Sequence, residues 1–311
     1  MSDPILIVGT GAMACLFASR LAAAGVQVTM LDTWVEGLDA LRLHGVRLVG
    51  ADGTEQAFPV QAGSEPAEFV GMRFALVLVK SWQTERAAQQ LAVCLASDGL
   101  ALTLQNGLGN REILVQALGD DRVALGVTTL GATLIGPGLV QPGGEGTIST
   151  GTHPRLPPLT KMLQQAGIPV EVLPEVSDLL WSKLVINAAI NPLTALLHIP
   201  TGELLTRPSA RLLMRTAARE AAEVAAAIGR NLTFSDPVAA TEAVANRTAR
   251  NNSSMLQDVQ RGAPTEIDAI CGEIVAAGER CGIPTPVNRT LWLLIKSLNG
   301  GIRNDHRHNH S

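Results

Sequence analysis

Lys183, Asn187 and Asn191 are spaced four apart in the run Lys-Leu-Val-Ile-Asn-Ala-Ala-Ile-Asn. At about 3.6 residues per turn this spacing stacks the three side chains on one helix face. An ammonium and two carboxamides are thereby aimed at one place, while Leu184, Val185, Ile186, Ala188, Ala189 and Ile190 surround them. Desolvating an amide without a hydrogen bond costs about 1–3 kcal/mol, so the stripe is expected to face a polar ligand; the plainer alternative is a solvated helix face. Pro192 is expected to bend or end the helix.

A second set of residues reads as strand, tight turn and helix. Ile5 to Val8 is apolar and runs into Gly9-Thr10-Gly11-Ala12-Met13-Ala14, followed by Cys-Leu-Phe-Ala. The two glycines permit the turn and the close approach of a pyrophosphate to the helix N–H groups, and Ala14 is small enough for helix–strand packing. A further apolar strand, Val26 to Leu31, ends in Asp32. A carboxylate about twenty residues past such a turn is placed to bind a ribose diol. The plainer reading of Asp32 is a surface carboxylate.

The elements needed to position these groups follow in order. Phe74 to Val79, Leu100 to Leu104 and Arg122 to Thr129 read as strands, and Gln83 to Leu95 and Asn110 to Leu118 as helices. The alternation predicts an α/β chain with a Rossmann-type doubly wound sheet. Lys80 and Gln105-Asn106-Gly107 follow two of these strands, at the carboxyl edge where open α/β sheets bind ligands. A solvated lysine and an Asn-Gly turn are the competing readings. Gly131 to Gly151 suggests turns between antiparallel strands, and Val170 to Leu173 a closing strand. After Pro174 the texture becomes Ala- and Leu-rich without strands, as in Leu212 to Ile228 and Glu266 to Cys281. Residues 1–174 are therefore read as a dinucleotide-binding domain and 175–311 as an all-helical domain carrying substrate and catalytic groups. Within the latter, Ser254 and Asp258 share a helix face. Thr265 is expected to cap the next helix, with Glu266 and Asp268 serving the helix dipole.

Composition narrows the function classes. The chain has 311 residues, 46% hydrophobic and 17% charged, with a formal charge of -4, five Phe, four Trp and no Tyr. That excludes an aromatic platform for single-stranded nucleic acid and a basic polyanion surface. No run approaches the roughly 18–20 continuous apolar residues of a membrane span, and no leader pattern precedes Ile5. A cytoplasmic protein is expected. Cys15, Cys94, Cys271 and Cys281 lack Cys-x-x-Cys spacing and read as buried free thiols. His306, His308 and His310 form a polar tail able to bind a metal only weakly, and no structural metal site is expected.

Taken together, Gly9-Thr-Gly11-Ala-Met-Ala14, Lys80-Ser-Trp-Gln, Gln105-Asn106-Gly107, Trp181-Ser-Lys183-Leu-Val-Ile-Asn187 with Asn191-Pro-Leu-Thr-Ala, Ser253-Ser254-Met-Leu-Gln-Asp258 and Thr265-Glu266-Ile-Asp268 resemble ketopantoate reductase, over nearly the whole chain. The resemblance implies NADPH-dependent reduction of 2-dehydropantoate to pantoate in pantothenate synthesis. It implies Lys183 as proton donor, Asn187, Asn191 and Ser254 on the substrate, and Asn106 between cofactor and substrate. Lys80, Ala132 and Glu266 are implied near the cofactor. The chemistry agrees. Hydride delivery to a 2-oxo carbon builds charge on oxygen, which needs a donor and then a proton. Burial would lower the pKa of Lys183 and Glu266 would raise it. Closure of the two domains would exclude water.

Two departures qualify the resemblance. Where the family commonly carries a basic residue for the 2′-phosphate of NADPH, this chain has Asp32-Thr33-Trp34, so NADH acceptance or preference is expected. Thr201 stands where some members carry a substrate-binding Asn. The resemblance implies a small anionic 2-oxo acid as substrate, and a reductase of another branched 2-oxo or 3-oxo acid would keep the same lysine helix. A non-enzymatic NAD(P)-sensing protein or a methyltransferase would have no use for the Lys-Asn face; fold alone does not decide among these. The helical surfaces are compatible with a homodimer and equally with a monomer.

Overall fold

The structure is a computed structural model and describes residues 3–50 and 52–302; His306, His308 and His310 lie outside the described residues. The chain divides into two compact units, the first comprising residues up to Gln105 with Asn110–Val176, the second Asn106–Gly109 with the residues from Ser177 on.

The first unit begins with β1 (Ile5–Val8), α1 (Ala12–Ala23), β2 (Val28–Leu31), α2 (Val35–His44), β3 (Val46–Val49), β4 (Glu55–Phe58), β5 (Gln61–Gly63) and β6 (Met72–Val77). It continues with α3 (Thr84–Cys94), β7 (Leu95–Thr103), α4 (Asn110–Leu118), β8 (Val123–Thr128), β9 (Ala132–Gly136), β10 (Leu139–Pro142), β11 (Ile148–Gly151), α5 (Pro157–Gln165) and β12 (Val170–Leu173). Eight strands form one sheet in the order β12-β11-β8-β7-β6-β1-β2-β5. All neighbours in it are parallel except β8 and β11. All four residues of β1 are fully buried, as expected of a central parallel strand covered on both faces. The register pairs Val8 with Leu31 and with Val77, and Val77 with Thr103. Gly9, Asp32 and Gln105 therefore leave the sheet at one edge, the carboxyl edge.

A second sheet has the order β4-β3-β10-β9; its β9 and β10 fall in the stretch expected to hold antiparallel strands, whereas β3 and β4 have no counterpart in the sequence reading. The β3–β4 hairpin joins β10 in parallel, and β9–β10 is antiparallel. It packs on α1. The antiparallel turns expected between Gly131 and Gly151 thus serve two sheets, since β11 returns to β8.

In the second unit the described segments form α6 (Val176–Leu197), α7 (Glu203–Thr206), α8 (Pro208–Ala227), α9 (Pro237–Arg247), α10 (Ser254–Gln260), α11 (Glu273–Cys281) and α12 (Pro286–Ile302), with no strand among them. Local chemistry sets several ends. Pro208, Pro237 and Pro286 open three helices, where a missing N–H costs nothing, and Asp236 accepts the Val238 and Ala239 N–H groups at the start of α9. Pro192 does not end its helix: α6 runs on to Leu197. Proline removes the N–H that Ala188 O would accept, and the Cys271 thiol, 3.9 Å away, points its weak donor at that carbonyl. Burial pushes the Cys271 thiol pKa up, which keeps it a donor. By averaged hydropathy α6 is long and apolar enough to cross a membrane, against the expectation from continuous runs, but 72% of that window is buried. It forms the core of the helical unit, with Leu184, Val185, Ala188 and Ala189 at 1% exposure or less.

Candidate active site

In the first unit the chain leaves β1 into Gly9, whose φ of +122° is strained for any residue with a side chain. A Cβ there would also meet the Leu78 carbonyl at 3.2 Å. At Gly11 a Cβ would meet nothing within 4 Å, so the approach to the turn is open. No side chain caps α1 and no acidic residue occupies its first turn. An open, uncapped helix start after a glycine turn fits a pyrophosphate, which the Ala12, Met13 and Ala14 segment would meet with positive dipole.

Asp32 is 6% exposed and already bonded. Its Oδ2 accepts the Thr10 N–H at 2.8 Å and the Thr10 hydroxyl at 2.7 Å. Its Oδ1 accepts the Thr33 N–H at 2.7 Å and Nη2 of Arg86 at 2.9 Å. Asp32, expected as a lone diol acceptor, is thus an ion-paired carboxylate whose partner comes from α3.

Lys80 closes the strand-end segment and is half-buried. Its N–H donates to Gln83 Oε1 at 3.2 Å across a short helical turn, Ser81–Gln83. Gln105 holds that segment: Nε2 donates to Val79 O at 3.0 Å and to the Thr84 hydroxyl at 2.8 Å. The Thr84 hydroxyl lies 2.8 Å from both Ser81 O and Asn110 Oδ1, and its single proton serves one at a time. Ala132, at the start of β9, packs on the apolar core of this unit.

In the second unit the loop Asn106–Gly109 packs beneath the start of the segment leading into α11. Gly107 has φ +83°, and a Cβ there would lie 2.5 Å from Ala269 O. The Leu108 N–H donates to that same carbonyl at 2.9 Å. Residues Asp268–Gly272 form a π-helical turn, a widened turn that frees carbonyls from the ordinary ladder. Glu266 stands just before it and is 5% exposed. Glu266 directly precedes the first helical residue and its carbonyl accepts the Ile270 N–H at 3.1 Å, in keeping with the helix-start reading; its Oε2 in addition accepts from Asn106 Nδ2 at 3.4 Å. Thr265 is buried too. Asp268 lies in the first turn, as the helix-dipole reading expects, and is exposed, bonded to Trp292 Nε1 at 2.6 Å and Lys296 Nζ at 3.0 Å.

Lys183 and Asn187 are half-buried on α6 and Asn191 is buried. Burial pulls the Lys183 pKa down from 10.5 to about 8, against the opposing pull of the Glu266 charge. Lys183, Glu266 and Asn106 are thus associated, and Asn187 and Asn191 continue the Lys183 face by one and two turns. Ser253, not Ser254, caps α10, accepting the Leu256 N–H at 3.1 Å. It shares a proton with Thr194 at 2.7 Å, tying α10 to α6 just past Asn191. Ser254 is the next residue, half-buried. The Thr201 hydroxyl donates to Asn251 O at 2.9 Å, so its proton is committed to the backbone. An ammonium whose pKa lies near neutrality, with carboxamides along its face, is suited to polarise and protonate a carbonyl oxygen.

The ketopantoate reductase PanE/ApbA family matches residues 5–155, and its C-terminal family matches residues 175–299. This chain belongs to the ketopantoate reductase family. A 2-dehydropantoate 2-reductase of Archaeoglobus fulgidus is 35% identical over 303 residues, 96% of this chain and 98% of the relative. One of Halobacterium salinarum is 33% identical over 298 residues, 94% and 97% of the two chains. The crystal structure of a PanE/ApbA family ketopantoate reductase from Ralstonia eutropha matches with a TM-score of 0.90 at 32% identity, covering 97% of this chain and 100% of that one. A D-mandelate dehydrogenase with NADH and anilino(oxo)acetate matches with a TM-score of 0.90 at 25% identity, covering 96% and 99%. The ketopantoate reductase family is one of NAD(P)H-dependent reductases, and this chain is accordingly an oxidoreductase with a Rossmann-type sheet and a helical second unit. Sequence reasoning missed Arg86. It lies 54 positions from Asp32, and no local pattern connects the two.

Proposed function

We propose that this chain reduces the 2-oxo group of ketopantoate to pantoate, using NAD(P)H. One observation carries the reading: the Lys183 ammonium, its pKa lowered to about 8, lies in the field of Glu266 on a helix face continued by Asn187 and Asn191. Residues 1–174 hold the dinucleotide, with Gly9, Thr10, Gly11, Ala12, Met13 and Ala14 at the pyrophosphate and Lys80 and Ala132 toward its other parts. Residues 175–311 hold the substrate, joined by Asn106. Bound reduced nicotinamide supplies the hydride. Lys183 donates a hydrogen bond to the carbonyl oxygen as charge grows there and then gives up its proton. Asn187 and Asn191 orient the hydroxyl and carbonyl, and Ser254 binds the carboxylate. Glu266 sustains the charge on Lys183, and Asn106 steadies Glu266. NADH is accepted as well as NADPH, and the reaction runs in the cytoplasm on a free small acid.

A second reading, reduction of another branched 2-oxo acid, is favoured by Thr201. Its hydroxyl is spent on Asn251 O, which removes one polar contact from the substrate. The likeness to D-mandelate dehydrogenase points the same way. Cofactor oxidation with ketopantoate and a panel of 2-oxo acids, each with NADPH and NADH, separates the readings. Ketopantoate turning over fastest supports the first; another acid clearly preferred over it replaces the first with the second. Silence with every acid overturns both.

A further inference from the structure

The carboxylate of Asp32 is a filled site. A carboxylate offers about four lone-pair positions, and Thr10 takes two, Thr33 one and Arg86 one. Three of the four donors are held by backbone or by the 1%-exposed Thr10. The fourth is a long side chain from the first turn of α3, 32% exposed. Arg86 also reaches the Thr33 hydroxyl through Nη1, and its Nε is buried without a hydrogen-bond partner. The Nε is out of reach of a ligand, but these contacts leave Nη hydrogens unspent, so the partly exposed guanidinium cancels the charge of Asp32 and can still donate.

The charge bookkeeping decides what this site can accept. A bare carboxylate would take the two ribose hydroxyls as donors and repel a 2′-phosphate. A carboxylate covered by a guanidinium is neutral overall, and the guanidinium is a planar fork matched to phosphate oxygens. We propose that Arg86 sets cofactor choice in this protein: its guanidinium shields Asp32 and receives the 2′-phosphate of NADPH, while Asp32 without it selects the unphosphorylated ribose. The inference rests on the reading of the glycine turn as the dinucleotide site.

The test uses cofactor fragments lacking nicotinamide, so that binding is read apart from turnover. Calorimetric affinities of 2′-phospho-ADP-ribose and ADP-ribose are measured for the wild-type chain, Arg86→Ala and Asp32→Asn. Arg86→Ala is expected to weaken the phosphorylated fragment at least tenfold while ADP-ribose is held as well or better. Added salt is expected to weaken the phosphorylated fragment in the wild type and to have less effect in the variant. Asp32→Asn, which keeps Arg86, is expected to move the ratio toward the phosphorylated fragment. Equal losses of both fragments in Arg86→Ala, or an unchanged ratio, would overturn the role of Arg86 while leaving the dinucleotide site standing. Failure of both fragments to bind the wild-type chain would overturn the site reading and this inference with it.

Discussion

Glu220 and Glu266 are buried in the same helical unit, 7% and 5% exposed, but their neighbours differ in kind. Glu220 accepts the Val287 N–H, the Asn288 N–H and Asn288 Nδ2, each at 2.9 Å. These donors never change charge, and two of them are orphan N–H groups at the start of α12. Glu266 meets Asn106 at the longer 3.4 Å and acts on Lys183, the group proposed to give up a proton to the substrate. Glu220 also raises the pKa of the buried Cys271 thiol, so the contrast lies in the group each carboxylate acts on: a thiol that burial keeps neutral beside Glu220, and an ammonium with a pKa of about 8 beside Glu266. Burial alone does not separate them.

The strongest test of this contrast is Lys183 itself. Lys183→Ala is expected to lower kcat roughly a thousandfold, within the range for losing a positioned general acid, while cofactor binding measured by fluorescence stays intact. Next is Glu266→Gln. In the proposed mechanism reduction needs protonated Lys183, so the rate is expected to be full below its pKa of about 8 and to fall as pH rises through it. Glu266 raises that pKa, so removing its charge is expected to move the alkaline fall of the kcat profile to lower pH, with roughly a several-fold loss at neutrality. A profile that stays in place would cancel the distinction drawn for Glu266. The smallest effect on turnover is expected for Glu220→Ala. It strips acceptors from buried donors, costing about 1–3 kcal/mol, so thermal unfolding should come earlier while kcat/KM stays within roughly twofold. Loss of turnover in proportion to that of Glu266→Gln would collapse the two classes into one.

Local patterns carried much of the fold into view. The apolar Ile5–Val8 strand, the glycine turn and α1 are contiguous, and the Lys183 face is set by spacing within a single helix. What stayed hidden depends on partners far along the chain. The β3–β4 hairpin is short and half polar, and it becomes part of a sheet only through β10, some ninety positions on. Glu266 was legible as a residue at a helix start, but sequence spacing cannot show that Asn106, 160 positions away, lies against its carboxylate. Asp32 was legible as a carboxylate at a strand end but not as half of an ion pair. Pro192 obeyed its local rule in losing a hydrogen bond, and a thiol from another segment softened the loss.

The π turn at Asp268–Gly272 bears on how this chain can change in length. This widened turn opens the helix that continues as α11, with only Ile267 ahead of it in ordinary helical form. Deleting a single residue there would let the helix close to ordinary pitch while Ile274, Val275 and Ala277 stay seated in the core. The carbonyl of Ala269 would then be drawn back into the helix and released from Leu108. The loop bearing Asn106 would lose its anchor without the helix losing its own. A one-residue deletion here is expected to leave thermal unfolding near that of the parent chain while lowering turnover, which melting and kcat measured on the same variant would check.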